Sequence, residues 1–127
     1  MTPLTPAGLA PPFAAYSHGI AVPASRLLVT SGQLGLAPDG IVPEDAQGQA
    51  EICLSNIDLI LAEDGMTRAN ILRLNAYVTD RAHMAGYMAA RDAYLGGLAA
   101  LPASTLLIVS GFTRPEFLVE IEAIAAT

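Results

Sequence analysis

Three observations predict an α+β fold, a sheet with both helices on one of its faces. Apolar residues alternate at period 2 in the middle of the chain and in its last segment, and short strand-like apolar segments stand near the N-terminus. They recur at helical spacing in two longer segments. The resulting order is strand, strand, helix, strand, helix, strand, strand, and such paired strands at both ends leave the sheet's second face to be covered by something else. At 127 residues the chain is expected to form a single domain over 1–127.

Composition narrows the functions. The chain is 53% hydrophobic and 14% charged, with a mean hydropathy of +0.47, more apolar side chain than so small a monomer easily hides. Further copies of the same chain are expected to cover part of it. The formal charge is −6, from 12 acids against 6 bases, and every base is arginine. Without lysine there is no Schiff-base nucleophile and no Walker-type phosphate loop. Net acidity argues against nucleic acid as a partner. A lone cysteine, Cys53, excludes an internal disulfide and a Cys-rich zinc site. No apolar run is long enough to span a membrane, and the first dozen residues carry four prolines and no Lys or Arg, unlike a secretory signal. The expected compartment is the cytoplasm.

Residues 1–15, rich in Pro, Ala and Gly, read as an extended arm. A short strand is expected from Tyr16 to Val22 and a buried one from Arg26, which changes character at Thr30-Ser31-Gly32-Gln33. A hydroxyl followed by glycine at a strand's end gives a backbone that a ligand can approach closely, or an ordinary turn. Asp45 caps a helix that runs to about Asp64 and stops at Gly65, with Ala50, Cys53, Leu54, Ile57, Ile60 and Leu61 on its apolar face. Cys53 lies inside that stripe and reads as core rather than nucleophile.

The middle strand spans Asn70 to Thr79, with Leu72, Leu74, Ala76 and Val78 facing one way and Arg73, Asn75 and Tyr77 the other. Asp80 caps a second helix to Leu95, ended by Gly96-Gly97. Its stripe of Met84, Tyr87, Met88, Arg91 and Leu95 reads as packing. Ser104 to Phe112 has a continuous apolar middle, as a strand buried on both faces would.

The final strand, Phe117 to Ala125, places Phe117, Val119, Ile121, Ala123 and Ala125 on one face and Leu118, Glu120, Glu122 and Ile124 on the other. Two carboxylates thus share one side of an apolar strand. If that side is confined, lost hydration and the neighbouring negative charge raise at least one of their pKa values, giving a poised acid or base. A solvated edge carrying two acids fits the same pattern.

Other chemistries lack their motifs. There is no GxSxG elbow for Ser31 or Ser110, no zinc spacing between His18 and His83, and no GxGxxG after a strand. The chain instead resembles the RidA/YjgF family of small imine and enamine deaminases over nearly its whole length. The resemblance lies in APPFAAYSHGI at residues 10–20, VTSGQLGL at 29–36, ASTLLIV from Ala103, and FLVEIEAIA at the end, the most specific of the four.

That resemblance implies a chorismate-mutase-like α+β domain, a mixed sheet of about six strands with two helices on one face, and three subunits closing their sheets into a central barrel. Active sites would lie in clefts between the subunits of this homotrimer, with no metal and no cofactor. Glu120 matches the carboxylate that positions and activates water, Tyr16 and Ser31 match catalytic positions, and Gly32 matches a position lining the pocket. Glu122 is left to structure or the interface.

The chain also departs from the family. Ala103 stands where the deaminases carry an Arg that grips the substrate carboxylate, Met88 where an Asn is common, and Thr105 where Cys or Thr is usual; all three are expected to line the substrate pocket. Loss of the charged clamp removes on the order of 1.5–3 kcal/mol of anchoring, enough to disfavour small 2-imino acids. Arg26 and Arg114 are the candidates to replace it. The expected function is hydrolytic deamination of a reactive imine or enamine lacking that carboxylate handle. The alternative is a non-catalytic trimer that binds a small apolar ligand or a partner protein.

Overall fold

The computed structural model describes residues 1–127. Seven strands and two helices follow one another as β1 (Thr2–Leu4), β2 (Gly19–Ala21), β3 (Leu27–Val29), β4 (Gln33–Leu34), α1 (Ala46–Glu63), β5 (Ile71–Val78), α2 (Met84–Leu95), β6 (Ala103–Ile108) and β7 (Val119–Ala126). The two end segments, β1 and β2, form a small antiparallel ladder of their own. The N-terminal arm therefore contains a three-residue strand that its Pro-rich composition concealed.

The other five strands make one mixed sheet with β7 at its centre. Antiparallel partners β3 and β4 lie along one edge of β7 and β5 along the other, while β6 runs parallel to β5 at the margin. Both helices cover one face. Alternation in β7 is as expected: Val119, Ile121, Ala123 and Ala125 are fully buried beneath the helices, and Glu120, Glu122 and Ile124 lie half-buried on the open face.

The sequence explains the helix limits. Asp45 accepts a hydrogen bond from the Gly48 amide at 3.3 Å and begins α1, and Gly65, at φ 70°, takes the chain out of it. Ala50, Cys53, Leu54, Ile57 and Leu61 are buried, whereas Ile60 is only half-covered at the margin of the stripe. Burial pushes the Cys53 thiol up to about 12, which leaves it protonated and unreactive at neutral pH. Asp80 accepts from the Ala82 amide at 2.8 Å and starts a single 3₁₀ turn that leads into α2.

Three strand expectations need correction. A register shift between Ile71 and Arg73 turns Ile71, rather than Leu72, toward the core. Instead of a buried strand, β3 exposes Leu27 and Val29 at 64% and 66%, because it lies at the sheet's edge. And β6 is not buried on both faces within the chain: it is the opposite edge strand, and Leu107 and Ile108 are exposed.

One buried polar residue governs how β7 begins. Gln49, on α1, has no exposed surface; its Nε2 donates to the Pro43 and Glu116 carbonyls at 2.8 Å each, and its Oε1 accepts from the Leu118 amide at 2.8 Å. The segment entering β7 is thereby tied to the helix just before Glu120.

Candidate active site

Glu120 stands on the open face of β7, opposite Tyr77 of β5 and Leu34 of β4. Thr30 prepares the space beside it. The buried Thr30 Oγ1 accepts from the Ala123 amide at 2.9 Å, and the Thr30 amide donates to the Ala123 carbonyl, so a side chain stands in for part of the ladder between β3 and β4. The released backbone at Ser31 and Gly32 passes over the Glu120 carboxylate. A Cβ at position 32 would collide with Glu120 Oε1, Cδ and Cγ, so glycine leaves the carboxylate its place through close approach and not through a positive φ.

The two carboxylates are treated differently. Glu122 accepts from the Tyr77 hydroxyl at 2.6 Å and from Asn75 Nδ2 at 3.2 Å. No protein donor stabilises the Glu120 anion: burial, and next the charge on Glu122, raise its pKa above the ordinary 4.5. Both acids share a hollow of about 350 Å³ with Gly32, Tyr77, Phe112 and Gly111. A carboxylate that is partly desolvated, free of donors and raised in pKa is suited to accept and return protons.

Apart from Ser31, the other expected site residues lie elsewhere in the fold. Tyr16 and Met88 meet in a second hollow, of about 380 Å³, with Phe13, Met84, Arg91 and Ser104. Tyr16 sits between Phe13 and His18, each ring edge-on to it at 5.8 Å. Its segment is fastened by Ser17, whose amide and hydroxyl donate to the Pro102 and Leu101 carbonyls at 3.0 and 2.6 Å. The His18 ring is hydrogen-bonded to the Ala10 carbonyl at 2.7 Å. Ser31 is exposed beside Gly32.

Ala103 and Thr105 belong to the open face of β6, paired with Arg73 and Asn75 of β5. There Arg73 donates to Asn75 Oδ1 at 2.7 Å and to Thr105 Oγ1. The single chain thus brings Glu120 and Gly32 together, and Tyr16 and Met88 together, in separate hollows. Neither proposed substitute for the missing clamp enters them. Arg26 is paired with Asp64 at 2.5 Å, and Arg114 with Glu116 at 3.0 Å while lying over the Phe117 ring.

Tyr77, Arg73 and Arg91 went unrecognised as site residues. For the first two, the polar side of the middle strand was the available signal; for Arg91 it was a charge within an otherwise apolar helical stripe.

The Gly32 contact carries a testable consequence. Gly32→Ala is expected to leave the fold within about 1 kcal/mol of wild type, since the clash falls on the end of a flexible side chain. It should also displace Glu120 and change that residue's titration, followed by NMR of the side-chain carboxyl. An unchanged titration would show that the carboxylate does not sit beneath residue 32 in solution.

Comparisons with known proteins agree with this architecture. The family model described as "Endoribonuclease L-PSP" matches residues 8–127. A "RutC family protein" of Aquifex aeolicus is 35% identical over 80 residues, covering 62% of this chain and 59% of that protein. The Escherichia coli "Putative reactive intermediate deaminase TdcF" is 30% identical over 66 residues, 51% of this chain and 50% of the relative. The matched stretches thus span between half and three fifths of these relatives' lengths.

In structure the similarity extends further. A member of the conserved Rid protein family from Yersinia pestis, YyfB, superposes with a TM-score of 0.88 at 29% identity, covering 99% of this chain and 98% of that one. TdcF with bound serine gives 0.74 at 26% identity, covering 94% and 91%.

Proposed function

The chain belongs to the RidA/YjgF family, and from that premise we propose that it hydrolyses a reactive imine or enamine, releasing ammonia and a carbonyl compound. The observation that carries this reading is the Glu120 carboxylate, raised in pKa on the open sheet face beneath the Gly32 backbone. An enamine first tautomerises to the imine. Glu120 then takes a proton from a water whose oxygen bonds to the imine carbon and passes it to the nitrogen, while the C=N double bond becomes single. The resulting carbinolamine collapses: its hydroxyl gives up a proton as the nitrogen leaves as ammonia, and one carboxyl group serves both transfers. Hydrolysis of a C=N bond involves no net oxidation or reduction, so the reaction needs no redox cofactor.

Separation of the Glu120 and Tyr16 hollows supports a homotrimer, in which a cleft between subunits would join the Ser31–Gly32–Glu120 side of one chain to the Tyr16–Met88 side of another. The exposed Leu27, Val29, Leu107 and Ile108 would supply interface area at both sheet edges. No helix is long and apolar enough to cross a membrane, and the proposed place of action is the cytoplasm.

Ala103 offers no fork for a carboxylate adjoining the C=N carbon, so the preferred substrate is one without that handle. The test is ammonia release from freshly generated imines with and without a 2-carboxylate. Wild type should turn over the latter faster; inertness toward both ends the deaminase reading. Ala103→Arg should raise turnover of small 2-imino acids by about ten-fold, the lower end of what a charged hydrogen bond contributes. No gain in a variant that keeps its oligomeric state would mean that the pocket differs from the deaminases by more than residue 103.

The apolar character of the Tyr16 hollow, lined by Phe13, Met84, Met88 and Leu106, favours a second reading. There the protein would hold a small apolar ligand without transforming it. Saturable binding with no ammonia released from any imine would favour that reading over the first.

A further inference from the structure

The hollow beside Tyr16 has apolar walls and a buried cation. Arg91, on α2, is 3% exposed and lines this hollow together with Met84, Met88, Leu106 and Ser104. Its only carboxylate partner is the neighbouring Asp92, 56% exposed, which receives Nε and Nη2 at 3.1 and 3.0 Å on the single oxygen Oδ1. Protein acceptors thus account for two of the five guanidinium N–H groups.

The guanidinium carbon lies 5.6 Å from the Tyr87 ring centroid. The Tyr87 hydroxyl, fully buried, has no hydrogen-bond partner; Ser104 and Arg91 are near enough to influence it without meeting hydrogen-bond geometry. No Arg91 nitrogen is an enclosed orphan, so its unpaired N–H groups open onto the hollow, where an acceptor can reach them. The walls exclude a small hydrated ion as a good fit and suit methylene groups or a ring.

We propose that Arg91 is an anion-anchoring residue, and that the hollow takes an aliphatic chain ending in a carboxylate. The inference rests on the deaminase reading for one part only: if that reading holds, the substrate is an imine or enamine whose carboxylate is remote from the C=N group, separated from it by an apolar spacer. The missing Arg at position 103 then reflects a different location for the anion rather than its loss. The carboxylate meets Arg91 from the helix side, and the spacer lies between Met84, Met88 and Leu106.

The experiment is a calorimetric titration of the full chain with hexanoate and with its neutral counterpart, hexan-1-ol. Wild type should bind hexanoate at least about ten-fold more tightly, as expected when a charged acceptor meets a desolvated guanidinium. Arg91→Met should level the two affinities while leaving hexan-1-ol binding in place, and Arg91→Lys should retain part of the preference. Equal affinities in wild type, no measurable hexanoate binding, or a preference untouched in a folded Arg91→Met would each overturn the proposal. If Arg91→Met does not fold, the wild-type comparison decides alone.

Ammonia release by wild type, set beside the hexanoate titration, separates the two readings, and Glu120→Gln should keep the hexanoate preference because Glu120 lies in the other hollow. A hexanoate preference without ammonia release from any imine keeps the anion site and discards the deaminase. Turnover of imines without a hexanoate preference does the reverse.

Discussion

Glu120→Gln should lower kcat for imine hydrolysis by about 10²–10⁴-fold, the range associated with loss of a positioned acid or base. The amide preserves the shape beneath Gly32 and removes only the proton transfer. Its effect on stability should have the opposite sign. The Glu120 pKa is raised in the fold, so between the ordinary 4.5 and the raised value the native state binds more protons than the unfolded one, and wild-type stability falls as pH rises through that window. The neutral amide escapes this loss. Thermal melts at neutral pH should therefore find the inactive variant at least as stable as wild type, with its advantage shrinking toward pH 4. An active Glu120→Gln enzyme would remove Glu120 from the mechanism, and a variant destabilised only at neutral pH would contradict the pKa direction.

The second large effect concerns folding. Gln49→Leu keeps the side chain's size but leaves the Pro43 and Glu116 carbonyls and the Leu118 amide without their partner. At roughly 1–3 kcal/mol for each buried group left unpaired, discounted for the access that water has to the Glu116 turn, the expected loss is about 3 kcal/mol. Urea denaturation measures it directly. A loss below about 1 kcal/mol would mean that water replaces the amide and that α1 does not govern how β7 is entered.

Legibility followed the physics of each element. Asp45, Gly65 and Asp80 act through local hydrogen bonding and backbone conformation, so both helices were readable to within a few residues. The β7 alternation was equally open, because period 2 alone separates Glu120 and Glu122 from Val119 and Ile121. Periodicity could not show the register shift at Ile71, which depends on how two strands meet. Nor could it tell that Thr30 would stand in for a ladder bond, or that Gln49 would bond three distant backbone groups, since both need partners remote in sequence. Arg91 was hidden for another reason: helical spacing assigns a residue to a face but says nothing about whether that face borders a cavity. The division of the expected site between two hollows was likewise invisible, because matching motifs assembles residues into a set without placing them in space.

One feature of the sheet bears on how the protein is made. Every antiparallel partnership in the five-stranded sheet runs through β7, which follows β3, β4 and β5 in the chain. Until residues 119–126 have been synthesised, those three strands have no antiparallel neighbour there, and only the parallel β5–β6 pair can form. Contacts of such long sequence separation fold slowly. A nascent chain stopped short of Val119 would hold two amphipathic helices above an unassembled floor, a species prone to aggregate or to engage chaperones.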